Sequence, residues 1–277
     1  MRWPHHIHKV KAFLNRHKLS AFFTLAYLLS WYPWIIALAR GRNTGPNPLG
    51  PLVAGIVITA VAYGRPGLRE YFSRIVRWRV GLKWYGIVFL VPLAICVAAV
   101  GITFCFLPHS PVANLSAEKI RELPDRFLFI LLFIGLGEEP GWRGFALPEL
   151  LRKHSALRAS LILALLWAVW HLPLVGHEFP GPIVPAFLIS VFGGTFMLTW
   201  LFNHTKGSVL LAMLFHATIN AVGAGLIFPL FSGPTLILLW YVYAVLWLGV
   251  GLTALVRSRT KTNLAEISLP SASVFPS

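Results

Sequence analysis

The feature that most constrains this chain is a succession of long apolar runs separated by short polar or basic segments. Over 277 residues, 57% are hydrophobic and only 12% are charged. A helix of about 20 residues rises about 30 Å, which matches the hydrocarbon thickness of a bilayer. We therefore predict eight membrane-spanning helices. Seven cover residues 20–39, 49–63, 84–107, 157–175, 182–202, 207–229 and 234–256, and the fourth in chain order begins near residue 125.

This pattern predicts an all-α fold, a polytopic membrane helix bundle of about eight transmembrane helices. Between the second and third spans, residues 64–83 mix apolar and Arg side chains at helical spacing, which is typical of an amphipathic helix lying on the membrane surface. A cytoplasmic basic leader, 1–19, precedes a single transmembrane domain, 20–256. The Ser-, Thr- and Pro-rich tail, 257–277, is expected to be disordered and cytoplasmic.

The positive charge of the chain follows its predicted topology. The net charge is +15, and the basic residues lie between the apolar runs rather than on one face, which argues against nucleic-acid binding. If the N-terminus is inside, 19 of the 24 Lys and Arg lie on the inner side. Cytoplasmic loops of membrane proteins carry such an excess. We predict a multi-pass protein of the bacterial cytoplasmic membrane, in contact with lipids, with both termini cytoplasmic.

Two adjacent carboxylates, Glu138 and Glu139, lie inside the fourth predicted span. A charged side chain at the centre of a membrane helix costs about 2.5–3.5 kcal/mol on insertion scales, so the pair needs partners or a function. Glu139 and Arg143 are four residues apart, with Glu on the N-terminal side, which is the favourable order for an ion pair. We predict that Arg143 neutralises Glu139 and that Glu138 points elsewhere, because neighbouring residues are rotated about 100° around a helix.

Two histidines lie within later apolar runs and share helix faces with other polar side chains. His171 follows Trp167 by four residues on the fifth span, and His216 precedes Asn220 by four residues on the seventh. Residues four apart lie on one face of a helix. We expect Trp167 to form a wall of the pocket that contains His171.

Prolines and glycines surround these polar residues. Pro140 and Pro173 each remove a backbone hydrogen bond, and irregular helix at membrane depth is tolerated where it lines a water-filled cavity. Glycine permits close helix approach. We predict such approach at six glycines: Gly135, Gly137, Gly141, Gly144, Gly193 and Gly194.

The residue types are suited to activating water. A carboxylate that is partly removed from water is a stronger general base, so Glu138 is the candidate base. Asn220 and a histidine N–H can donate hydrogen bonds to the oxyanion that forms when water attacks a peptide carbonyl. The alternative is a Zn²⁺ ion held by Glu138, His171 and His216, with an open position for water. The sequence contains neither H-E-x-x-H nor G-x-S-x-G.

Three motifs resemble those of one known family. They are E-E-x-x-x-R at Glu138 to Arg143, an aromatic residue shortly before His171, and H-x-x-x-N at His216 to Asn220. Together they are similar to the motifs of the CAAX protease and bacteriocin-processing (CPBP, or Abi) family of intramembrane endopeptidases, which includes bacterial type II CAAX prenyl endopeptidases. The resemblance covers about 125–225, the expected catalytic core. Trp167 stands where Phe is usual in the family.

The resemblance implies an eight-helix endopeptidase that cleaves membrane-associated or lipidated substrates; in eukaryotic members, a prenylated CAAX tail is cut after the modified cysteine. It implies that Glu138 and His171 activate water, and that His216 and Asn220 stabilise the oxyanion. No cofactor is favoured, although zinc is a possible one. The alternative is a non-proteolytic membrane protein of the same fold, either a bacteriocin self-immunity factor or an ion or peptide transporter. A transporter more often shows a repeated half with a second broken helix, and none is evident here.

Overall fold

The computed structural model describes residues 16–108, 112–113 and 115–258. The predictions for most of the basic leader and for the tail after residue 258 lie outside the described residues. The described chain is built from helices and their connections, with one isolated bridge between Val175 and Phe179, and this confirms the all-α prediction. The helices are α1 (Lys18–Ala39), α2 (Leu49–Ile75), α3 (Leu82–Phe106), α4 (Ala117–Arg121), α5 (a composite over 123–151), α6 (Ala156–Trp170), α7 (Val184–His204), α8 (Val209–Val222) and α9 (Gly233–Arg257).

In the described part of the chain, six helical segments are long and apolar enough to cross a membrane. They contain α1, α2, α3, α7, α8 with the turns that follow it, and α9. The other two predicted spans correspond to α5 and to α6, a shorter apolar helix of 15 residues. The polytopic helix bundle is therefore confirmed.

The second span and the predicted surface helix form one element, α2, that is interrupted at Gly64. The backbone of Gly64 has φ 60° and ψ −154°, a conformation open to glycine but strained for other residues. After this break, Tyr71 and Arg74 are completely buried, and Nη1 of Arg74 lies 3.4 Å from the carbonyl oxygen of Gly144. This segment therefore packs against α5 along one face, and α2 ends at Ile75 rather than at residue 83 as predicted.

Helix α5 contains two π-helical segments. They cover Ile130–Gly135 and Pro140–Ala146, and the single α-helical turn Leu136–Glu139 lies between them. Pro140 has no N–H to give to the preceding turn, so the α pattern cannot continue through it. Short π segments inside α-helices occur frequently at functional sites. Glu138 lies in the turn between the two.

Backbone-to-backbone contact fixes α5 against the start of α2. A Cβ atom added at Gly137 would lie 2.6 Å from the carbonyl oxygen of Pro48, and one added at Gly141 would lie 2.4 Å from that of Pro51. Both distances are too short for a side chain. The prediction of close approach is confirmed at these two glycines.

Helices α7 and α9 cross in the same way at Gly193. A Cβ there would lie 2.4 Å from the carbonyl carbon of Trp247. At Gly194, a Cβ would meet nothing within 4 Å. The prediction was wrong for Gly194, because that residue faces away from the crossing helix.

Consecutive spans run in opposite directions, so their connections gather at two ends of the bundle. We call the end formed by residues 40–48, 171–183 and 223–232 the cavity end, and the end formed by 76–81, 152–155 and 205–208 the basic end. At the cavity end, Nε1 of Trp31 donates to the carbonyl oxygen of Trp170 at 3.1 Å. At the basic end, Nζ of Lys18 pairs with Glu149 at 3.3 Å.

Candidate active site

Glu138 is buried, with 4% of its surface exposed, and it is held by two indole groups. Nε1 of Trp167 donates to its Oε2 at 2.9 Å, and Nε1 of Trp142 lies 3.4 Å from the same oxygen. Two N–H donors on one oxygen stabilise the ionised carboxylate and fix its orientation. The other oxygen, Oε1, is not engaged by either indole.

Glu139 is fully buried and serves different partners. Its Oε1 accepts a hydrogen bond from Nη1 of Arg143 at 2.9 Å and one from Nδ1 of His216 at 2.8 Å. The predicted ion pair between Glu139 and Arg143 is present, and so is the separation of the two carboxylates. The contact with His216 was not predicted, because nothing in the sequence relates α5 to α8.

Arg143 lies between the ion pair and an aromatic ring. It is completely buried, and its guanidinium carbon lies 4.3 Å from the centre of the Trp167 ring, within the range of a cation–π interaction. Within the described chain, Nε and Nη2 of Arg143 and Oε2 of Glu139 have no hydrogen-bond partner. Trp167 thus contacts both charged groups. Its N–H donates to Glu138, and its ring face lies against Arg143, the ion-pair partner of Glu139.

His171 does not lie inside a helix, contrary to the prediction that the fifth span continues to residue 175. Helix α6 ends at Trp170, and His171 begins the connection to a 3₁₀ turn over Leu172–Leu174. The reason is Pro173, which has no N–H and disfavours helical geometry in the residue before it. Nδ1 of His171 lies 2.7 Å from the carbonyl oxygen of Trp167. Because a carbonyl only accepts, Nδ1 carries the proton, and the neutral ring keeps Nε2 as an acceptor.

His216 and Asn220 lie one turn apart on α8, as predicted. His216 is buried with 6% of its surface exposed, and its ring packs edge-on against Trp167, with 5.6 Å between the ring centres. Its Nδ1 is taken by Glu139, which leaves Nε2 for other contacts. Asn220 is partly exposed, so its amide is available to a ligand.

One cavity of about 470 Å³ brings five of the seven predicted site residues together. Glu138, His171, His216 and Asn220 all line it, as does Trp167. Glu139 and Arg143 are not among the lining residues. The remaining wall is largely aromatic and aliphatic, and it extends to the cavity end of the bundle. Some of these wall residues are Phe129, Ile130, Phe179, Phe187, Phe228 and Trp240.

The arrangement of the acidic and histidine side chains tests whether this site could hold zinc. Among the residues that the structure describes, no three His, Cys, Asp or Glu side chains are grouped closely enough to hold a metal ion. The predicted ligand set does not fit a metal as arranged here, so we derive no step through one.

Trp142 is a site residue that the sequence reasoning missed. It is fully buried and packs on Phe23, with 5.9 Å between the stacked rings, while its N–H faces Glu138. The signal was available, because Trp142 follows Glu138 by four residues, just as Arg143 follows Glu139. The i, i+4 rule therefore pairs both carboxylates, one with an indole and the other with a guanidinium.

Comparison with known proteins adds two findings. Residues 122–222 match the family model described as type II CAAX prenyl endopeptidase Rce1-like, and this range contains all seven predicted site residues. A curated protein named CAAX prenyl protease 2, from Methanococcus maripaludis, is 24% identical over 188 residues. That similarity covers 63% of this chain and 69% of the relative.

Proposed function

We propose that this chain, a CAAX-type endopeptidase whose residues 122–222 belong to the Rce1-like family, cleaves its substrate with a water molecule activated by Glu138 and His171. The observation that carries this mechanism is that both residues line one cavity together with His216 and Asn220. A base, a second acceptor and two potential oxyanion donors therefore surround a single space within the bundle.

The first step is removal of a proton from water. The indole N–H groups orient the Glu138 carboxylate, and Nε2 of His171 supplies a second acceptor for the same water. As Glu138 takes the proton, the water oxygen attacks the carbonyl carbon of the scissile peptide bond. Proton transfer to a positioned base contributes about 10²–10⁴-fold to rate.

The second requirement is stabilisation of the negative oxygen that forms on the attacked carbonyl. The amide of Asn220 and Nε2–H of His216 are the proposed donors. Since Nδ1–H of His216 already donates to Glu139, an Nε2–H requires the doubly protonated ring, and the Glu139 carboxylate favours that cation electrostatically. When the tetrahedral intermediate collapses, the C–N bond breaks and the leaving amine receives the proton held by Glu138.

The proposed substrates are membrane-associated or lipidated peptides of the CAAX type. The relative from Methanococcus maripaludis carries CAAX prenyl protease in its name, and the apolar, aromatic wall of the cavity suits a hydrophobic peptide segment. The non-proteolytic alternative, an immunity factor or a transporter, receives no support from either comparison.

We also propose that both termini lie in the cytoplasm. Among the residues that the structure describes, helix directions put five Lys and Arg at the cavity end, namely Arg40, Arg42, Lys119, Arg121 and Arg126. The excess of Lys and Arg marks the cytoplasmic side, so the basic end faces the cytoplasm. It follows that the active-site cavity opens toward the opposite side of the membrane.

The decisive experiment uses the purified full-length protein in liposomes with a farnesylated peptide ending in a CAAX sequence. Cleavage products are identified by mass spectrometry for wild type, Glu138→Gln and the exposed control Glu118→Gln. We expect loss of at least about 100-fold in rate for Glu138→Gln and wild-type rates for the control. Equal rates for all three proteins would refute the proposed base.

The role of a metal is tested separately on the wild-type protein. The peptide is incubated with enzyme that has been treated with a chelator until metal analysis finds no bound zinc. We expect the cleavage rate to be unchanged. A loss of cleavage that added Zn²⁺ restores would refute the metal-independent mechanism.

A further inference from the structure

Arg126 is a charged residue of the cavity wall that the proposed mechanism does not use. It lies in the first α-helical segment of α5, Leu123–Phe129, and among the described residues that line the cavity it is the one Lys or Arg. The catalytic group Glu138 lines the same cavity. A single cation on a largely apolar wall is an orienting group for an anionic part of a ligand.

The guanidinium of Arg126 forms only a weak ion pair. It pairs with Glu122, with Nη2 at 3.6 Å from Oε2, and both side chains are about half exposed. Exposed pairs of this kind contribute little free energy. Arg126 can therefore exchange this partner for a ligand carboxylate at small cost.

The aliphatic part of the Arg126 side chain lies close to the backbone of the proposed oxyanion donor, Asn220. A Cβ atom added at Gly225 would lie 2.5 Å from Cδ of Arg126 and 3.5 Å from the backbone carbonyl oxygen of Asn220. Gly225 therefore leaves the space through which the Arg126 side chain passes. Because both distances start from the same point, Cδ of Arg126 lies no more than about 6 Å from the carbonyl oxygen of Asn220, and the guanidinium extends beyond Cδ.

A substrate segment of a few residues is long enough to reach from Asn220 to the guanidinium of Arg126. In a CAAX sequence three residues follow the cysteine, and three extended residues span about 10 Å. A peptide whose scissile carbonyl lies at Asn220 would thus carry its terminal carboxylate to the region of Arg126. Arginine pairs with carboxylates through charge-assisted and often bidentate hydrogen bonds.

We propose that Arg126 binds the free C-terminal carboxylate of the substrate and so selects peptides that end three residues after the scissile bond. This inference rests on the proposed function, since it places the scissile bond between Glu138 and Asn220. Under this proposal the position of the cut is set relative to the C-terminus of the substrate. Arg126 is then a specificity-determining residue rather than a catalytic one.

The test compares two farnesylated peptides of identical sequence that end in a carboxylate or in a carboxamide. We expect wild type to cleave the acid with a kcat/KM about 10- to 100-fold above that of the amide, the range for a hydrogen bond to a charged group. In Arg126→Gln the acid should lose this advantage and be cleaved at about the rate of the amide. A melting temperature equal to that of wild type reports that the variant is folded.

Two matched variants and one further peptide complete the design. Arg121→Gln removes an exposed cation of the same end that does not line the cavity, and it should keep the wild-type preference. Glu122→Gln frees Arg126 and should keep or increase it. A peptide extended by one residue should be cleaved by wild type as slowly as the amide.

The outcomes separate this inference from the proposed function. Equal cleavage of acid and amide by wild type, or an unchanged preference in Arg126→Gln, would overturn the role of Arg126 while leaving the catalytic assignment intact. Full activity of Glu138→Gln on both peptides would overturn the catalytic assignment. In that case an acid preference lost in Arg126→Gln would still establish carboxylate binding at Arg126.

Discussion

Nδ1 of His216 lies 2.8 Å from Oε1 of Glu139, and this contact joins the seventh span to the fourth inside the bundle. The same oxygen accepts a hydrogen bond from Arg143 at 2.9 Å. One buried carboxylate oxygen therefore holds a guanidinium and an imidazole together. It fixes which ring nitrogen of His216 remains available to the cavity.

The first prediction concerns the charge balance of this group. Glu139→Gln leaves the guanidinium of Arg143 buried without an anion, and removing one member of a buried pair costs about 3–5 kcal/mol. We expect a lower melting temperature in detergent and loss of peptide cleavage. The double variant Glu139→Gln/Arg143→Met removes both charges, so it should regain part of the stability but no activity, because His216 lacks its carboxylate.

Thermal unfolding and cleavage assays on both variants check this prediction. A single Glu139→Gln variant with wild-type stability would show that the ion pair contributes nothing to the fold. If the double variant cleaved the peptide at the wild-type rate, the dependence of His216 on Glu139 would be wrong.

A second prediction concerns the indole groups on Glu138. Trp167→Phe removes the 2.9 Å hydrogen bond and keeps an aromatic ring at this position. Loss of a hydrogen bond to a charged group corresponds to about a 10- to 100-fold loss in rate. We therefore expect kcat to fall by that factor, with little change in KM. Trp142→Phe should have a smaller effect, because its contact is 3.4 Å long.

Steady-state kinetics on the two variants measure this difference. Trp84→Phe is the matched control, since Trp84 packs on Trp200 and is not among the cavity-lining residues. A Trp167→Phe enzyme with unchanged kcat would mean that Glu138 needs no indole donor.

A third prediction concerns the contact between α5 and α2. Gly141→Ala puts a methyl group 2.4 Å from the carbonyl oxygen of Pro51, so the helices must separate. Overpacking typically costs about 1–3 kcal/mol, and the displacement of α5 should also reduce activity. Gly101→Ala on α3 meets nothing within 4 Å and should match or exceed wild-type stability. Melting temperatures that do not differ between the two variants would contradict the steric clash expected at Pro51.

The fourth prediction concerns orientation. In a background in which Cys96 and Cys105 are replaced by Ala, Thr44→Cys introduces a thiol at the cavity end and Lys153→Cys one at the basic end. Both positions are exposed. We expect a membrane-impermeant maleimide to label residue 44 in intact cells and residue 153 only after the cells are opened. The reverse pattern would place the cavity mouth in the cytoplasm.

Periodicity and composition were sufficient to predict the helical membrane bundle, because a membrane permits few folds for a chain of long apolar runs. The backbone must satisfy its own hydrogen bonds in lipid, which makes helices the solution for such runs. The ion pair of Glu139 and Arg143 could also be predicted from the sequence, because i, i+4 spacing is a property of a single helix. The interaction of Trp142 with Glu138 obeys the same rule and could have been predicted in the same way.

Other features required the folded chain, because they depend on contacts between helices or on local breaks. Gly193 and Gly194 are indistinguishable as neighbours in sequence, yet only Gly193 faces the crossing helix. The end of α6 before His171 depends on how the chain responds to Pro173. The approach of His216 to Glu139 and of Arg126 to Gly225 joins residues about 80 to 100 positions apart, and no helical period relates residues so far apart.

The sequence by itself determined that the chain is a helical membrane bundle, which residue types carry its chemistry, and which of two adjacent carboxylates is neutralised on its own helix. Only the tertiary structure decided that the other carboxylate shares a cavity with His171, His216 and Asn220, and that a cation lies on the wall of that cavity. The physical reason is that spacing along a helix fixes the direction of a side chain, whereas helix packing fixes what that side chain meets.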